Sequence, residues 1–145
     1  MTHYAPIPYV QSKYIVCSSA GFLIPATIFY WNGHYLYGHG MMITSVVSMN
    51  YWKDVDYKSW RRTLDLVWSK VSFTVYFVTG LMNVKYEYYT ICLMITVALA
   101  SMFHISDSLS QKHIHEYEWV WCHMIFHWLL TINLICIAQC VGSAS

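Results

Sequence analysis

Residues 119–141, WVWCHMIFHWLLTINLICIAQCV, run without a single Lys, Arg, Asp or Glu. A helix rises about 1.5 Å per residue and a bilayer's hydrocarbon core is about 30 Å thick, so this run predicts a membrane-spanning helix. Toward the N-terminus a polar segment, residues 104–118, separates it from a further apolar run at 88–103. Residues 64–82 predict another span, which carries two ionisable groups, Asp65 and Lys70. The charge-dense loop 53–63 precedes it. Residues 35–52 are uncharged but more polar, with His39, Thr44, Ser45, Ser48 and Asn50. Asn32, Gly33 and His34 supply turn chemistry before that run. Residues 14–31 form the first expected span, and Pro25 within it predicts a kink, which membrane helices tolerate when neighbours satisfy the freed carbonyl.

Composition agrees with this division. A chain that is 57% hydrophobic and 10% charged cannot cover a globule with solvated surface, so the bilayer is the expected solvent. Five spans with short connections use nearly all of the 145 residues, giving an all-α, polytopic bundle of about five transmembrane helices in one domain, residues 1–145. No internal repeat or low-complexity tract interrupts it. The N-terminal residues show no apolar core followed by a small-residue cleavage site, so the first helix is expected to direct insertion itself. Cys17, Cys92, Cys122, Cys136 and Cys140 lack metal-ribbon or redox spacing and read as packing residues. A net charge of +1 with cations gathered in one loop excludes a nucleic-acid-binding face. The expected partners are membrane lipids, a second copy of the chain, or other subunits of a membrane complex.

Short cytoplasmic loops retain Lys and Arg. In the five-span arrangement Lys13, Lys53, Lys58, Arg61, Arg62 and Lys112 fall on one side and Lys85 on the other, which predicts a cytoplasmic N-terminus. Trp52, Trp60, Trp119 and Trp121 then lie near the cytoplasmic interface, where amphipathic rings are favoured.

An ionisable residue inside a membrane helix costs at least ~2.5 kcal/mol on insertion scales, so each one asks for a partner or a purpose. Asp65 follows Arg61 and Arg62 and reads either as a helix-start carboxylate paired with arginine or as part of a site. Lys70 reads as a snorkelling side chain. His123 and His127 are four residues apart, so their imidazoles share one helix face and fit either a hydrogen-bonded pair or a metal site. The five-span topology brings Ser48, Asp65, His123 and His127 to similar depth.

This set resembles the CREST membrane hydrolase superfamily, which includes alkaline ceramidases and the progestin and adipoQ receptors. There a Ser-x-x-x-His on one helix, an Asp on the next and a His-x-x-x-His on the last build an intramembrane zinc site. Ser48, Asp65, His123 and His127 match those positions, and His-Met-Ile-Phe-His is similar to the receptor branch. The resemblance implies zinc held by His123 and His127, with Asp65 and Ser48 as the catalytic pair: Asp65 as partner or base to a metal-bound water, Ser48 at the oxyanion. Two departures stand beside it. Trp52 occupies the position of the second helix's histidine, leaving His104, or more remotely His39, to supply a third nitrogen, and the chain has room for about five helices where the family has seven.

Two functions follow as expectations. One is zinc-dependent intramembrane hydrolysis of a lipid amide or ester. The other is a non-catalytic small membrane protein: a complex subunit, a lipid-binding scaffold or a degenerate CREST relative. A proton path through Lys70, Asp65 and the histidines is a third reading that would require an oligomer.

Overall fold

The computed structural model describes residues 9–56, 58–85, 89–112 and 117–143, and every regular element among them is helical. In chain order these are α1 (Tyr9–Ala20), α2 (Leu23–Trp31), α3 (Tyr35–Lys53), α4 (Trp60–Asn83), α5 (Tyr89–Lys112) and α6 (Glu118–Ser143). Three helical stretches, Val10–Trp31, Tyr89–Leu109 and Glu118–Val141, are long and apolar enough to cross a membrane. α3 and α4 have comparable length. They fall short in apolarity because α3 carries glycines, serines, His39 and Asn50 and α4 carries Arg61, Arg62, Asp65 and Lys70.

α1 and α2 are two halves of one bent rod. The break sits at Gly21 and Phe22, a turn ahead of Pro25, and the proline explains it. Pro25 has no N–H to offer the Gly21 carbonyl, so the Ile24 N–H takes that carbonyl at 3.0 Å, while Gly21 and Phe22 donate to Ser18 and Ser19 at 3.0 and 3.2 Å. The turn tightens to an i→i+3 pattern and the rod bends. Gly21 is required there, because a Cβ would lie 2.9 Å from the Ser18 carbonyl oxygen.

Two further expectations are corrected. The polar segment 104–118 is not a connection throughout: α5 continues to Lys112, well past residue 103. The extra turns stay helical because Ser106 faces inward, 1% exposed, and finds partners on α6. The expected start at residue 88 and most of the N-terminal segment lie outside the described residues. Arg61, expected beside Asp65, instead pairs with Asp54 at 2.8 Å. α4 begins at Trp60 behind the N-cap Ser59, whose side chain accepts from the Arg62 N–H, so Asp65 lies a full turn inside the helix.

α6 is the central post, touching α1, α2, α4 and α5, while α3 packs against α1, α2 and α4. Two apolar clusters fill the bundle. Phe22, Phe29, Met41, Tyr76 and Leu134 form the first. Ile15, Tyr51, Trp52, Trp119 and Val120 form the second, toward the 53–60 loop. Between α3 and α4 the polar side chains bond to each other: Trp68 Nε1 donates to Thr44 Oγ1 at 2.9 Å, and Thr44 and Ser72 hydroxyls meet at 3.2 Å. α5 leans chiefly on α6 and scarcely touches α4.

Candidate functional site

The bend in the first rod delivers two adjacent serines to the bundle interior. Ser18 and Ser19 are 2% and 0% exposed, and both hydroxyls donate back to the Ile15 carbonyl, at 3.0 and 2.8 Å. Ser18 Oγ lies 2.9 Å from His127 Nδ1, and Ser19 Oγ 3.0 Å from Ser48 Oγ. Ser45 of α3 donates to the Ser19 carbonyl at 2.9 Å, which fixes the rod against α3. Ser48 is also the hydroxyl neighbour of the buried Asp65 carboxyl. A buried carboxyl needs such a partner, since an unmade hydrogen bond in an apolar setting costs the full desolvation of the group.

On α6 the His-x-x-x-His spacing stacks His123 and His127 one turn apart, with ring centroids 4.7 Å apart and planes inclined by 61°. His123 Nδ1 lies 3.0 Å from Ser106 Oγ on α5. Among the described residues no hydrogen bond reaches either Nε2, so with both Nδ1 atoms engaged by serines the free edge of each ring is its Nε2 edge. Ser48, Asp65, His123 and His127 line a single cavity of about 290 Å³. The rest of its lining is largely apolar, including Phe73 and Phe77 of α4 and Leu99 and Phe103 of α5, with Thr44, Ser69, Lys70, Ser72 and Asn133 as further polar members. Ser69 and Lys70 of α4 and Ala100 and Phe103 of α5 line the cavity and are themselves exposed. With α4 and α5 scarcely touching, the cavity has a slot between them on the flank of the bundle.

The four residues singled out from the sequence are therefore brought to one cavity. The expected third nitrogen is not. His104 is exposed, and Ser106, two residues on, is the α5 side chain that reaches His123. His39 is exposed and engaged elsewhere, its Nδ1 2.7 Å from the Tyr35 carbonyl. Trp52 occupies the ground beside the pair, its ring centroid 4.8 Å from that of His123 and 6.0 Å from that of Trp119. Among the described residues no group of three or more His, Cys, Asp or Glu is placed to hold one ion. Catalytic zinc generally takes three protein ligands and a water. The donor set does not fit that centre, and no chemical step is assigned through a metal.

Sequence reasoning missed Ser18, Ser19 and Ser106. The serine doublet shortly before Gly21, itself four residues ahead of Pro25, was a legible signal, because buried hydroxyls beside a bend need partners on their own backbone and on neighbouring helices. Ser106 falls on the same helical face as Leu99 and Met102, yet a helix expected to stop at 103 hid that register. No family model, curated protein or solved structure matches the chain, so the site stands on its own geometry.

Proposed function

We propose that this chain is a multi-pass integral membrane protein of five spans, N-terminus cytoplasmic, whose cavity takes a single-chain amphiphile from the surrounding lipid and holds it without chemical conversion. The carrying observation is the form of the cavity: largely apolar walls, a polar group made of Ser48, Asp65, His123 and His127, and a flank walled by two helices that scarcely touch. That combination suits a molecule with an apolar tail and a small polar head arriving sideways from a bilayer. A volume of about 290 Å³ is at the small end of ligand pockets, roughly 300–1,000 Å³, which favours one chain over two. α3 and α4 take the remaining two spans in this reading, with Thr44, Ser45, Ser48, Asp65, Ser72 and Thr79 turned inward, as membrane helices favour for such groups.

Substitution at the slot tests the reading. Ala100→Phe adds a ring at an exposed position of the cavity rim and removes no interaction. Native mass spectrometry of protein released gently from membranes should show a co-purifying amphiphile in the wild type and its loss in the variant, with thermal unfolding unchanged. Equal occupancy in both, or none in the wild type, would count against the proposal.

A second reading, zinc-dependent hydrolysis of a lipid amide or ester, draws support from the two imidazoles: each is held through Nδ1, the orientation that metal-ligating histidines adopt when a neighbour fixes the other nitrogen. Elemental analysis of purified protein beside a His123→Ala, His127→Ala double variant decides between the two. Given the missing third ligand we expect no stoichiometric metal in either. About one zinc per wild-type chain, lost in the double variant, would favour the hydrolase.

A further inference from the structure

Each imidazole of the cavity is paired with a serine that has a second obligation. Ser18 Oγ contacts both His127 Nδ1, at 2.9 Å, and the Ile15 carbonyl oxygen, at 3.0 Å. Ser106 Oγ contacts both His123 Nδ1, at 3.0 Å, and the Trp119 carbonyl oxygen, at 3.4 Å. A hydroxyl has one proton, and a carbonyl oxygen can only accept. If the serine gave its proton to Nδ1, two oxygens would face each other with no hydrogen between them. Both contacts are satisfied together only when the serine donates to the carbonyl and accepts from an Nδ1–H. Each neutral ring then carries its lone pair on Nε2. Two such acceptor nitrogens, on rings 4.7 Å apart, line the cavity together with Ser48 and the buried Asp65 carboxyl.

We propose that Ser18 and Ser106 are positioning residues that hold His127 and His123 in the Nδ1–H form, so that the cavity offers two acceptor nitrogens and selects an amphiphile whose head donates a hydrogen bond, a neutral alcohol. This rests on the amphiphile-binding reading above. At the imidazole pair a head that only accepts, such as an ether or an ester, meets lone pairs and loses the bond its hydration supplied, whereas a hydroxyl exchanges one hydrogen bond for another.

Two measurements test it, both on chelator-treated full-length protein in lipid nanodiscs. The first is nitrogen NMR of ¹⁵N-histidine-labelled protein, with His123→Asn and His127→Asn used for assignment. Pyrrole-type Nδ1 and pyridine-type Nε2 are expected in both rings. Ser18→Ala and Ser106→Ala should each release the tautomer of their own ring, and Ser18→Thr and Ser106→Thr should restore it. A protonated Nε2 in either wild-type ring overturns the proposal, and the wild-type spectrum answers even if the alanine variants fail to fold. The second compares 1-tetradecanol with its methyl ether, read by the tryptophan fluorescence to which Trp52 in the cavity wall contributes. The alcohol should bind roughly tenfold more tightly, the effect of one well-made hydrogen bond. Equal affinities would overturn the selection while leaving amphiphile binding in place. Binding of neither would overturn the amphiphile reading, and the selection with it.

Discussion

Trp52→Ala should destabilise the bundle by about 3–5 kcal/mol, as large-to-small changes at buried aromatic positions do, and should also change what the cavity binds. Trp52 is 8% exposed and packs within the cluster of Ile15, Tyr51, Val55, Trp119 and Val120. Its ring stacks on Trp119 with an inclination of 29° and leans on His123 at 59°. Removing it leaves a void at the end of α3, one residue before Lys53; in the five-span reading the opened chain there meets water and headgroups, and the lost burial counts in full. The void is continuous with the cavity, because Trp52 is part of its wall. Unfolding in a graded detergent series measures the first effect. A shift of ligand preference toward bulkier heads in the folded fraction measures the second. Unchanged stability would mean that the stack contributes nothing.

Phe29→Ala should cost about 3 kcal/mol, near the low end of the range for such changes, and should leave ligand affinity as it was. Phe29 is fully buried at the far end of the bundle, with ring centroids 5.5 Å from Tyr37 and 5.7 Å from Tyr76. It joins α2 to α3 and α4, and it does not line the cavity. In the five-span reading the helices separate into lipid rather than water, and lipid tails solvate a phenyl ring about as well as a protein core does. The transfer contribution is therefore small and the lost packing remains. The same unfolding series gives the magnitude, and the alcohol titration on the folded fraction gives the affinity. A loss of affinity equal to that of Trp52→Ala would show that the two ends of the bundle are coupled.

The separation between these two variants reflects how the molecule is divided. Toward the Gly33 turn, the bundle is closed by aromatic rings and by short bonds such as Tyr76 Oη to the Tyr37 carbonyl at 2.6 Å and Asn32 Nδ2 to the Ala138 carbonyl at 2.9 Å. Toward the 53–60 loop, polar groups converge on a cavity that α4 and α5 leave open at one side.

Apolar run length by itself determined the helical class and, the far end of α5 apart, roughly where the helices lie, because a span in a bilayer must satisfy its own backbone and so can be read locally. The pairing of His123 with His127 was equally local, a matter of four residues along one helix. The five-span arrangement predicted that Ser48 and Asp65 converge on that pair, since helices entering from one side would bring their ends to one depth, and all four line one cavity. What the sequence did not determine was partnership. Arg61 could have taken Asp65 or Asp54, and only the start of α4 at Trp60, which carries Asp65 inward to Ser48, decided it. His104 was the α5 residue expected near His123, and the continuation of α5 past residue 103 gave the place to Ser106 instead. Ser18 became the neighbour of His127 because Pro25 forced a bend whose direction depends on the packing of α1 and α2 against α3 and α6. Helices are set by interactions within a few residues; hydrogen-bond partners between helices are set by rotation and depth, which only the packed bundle fixes.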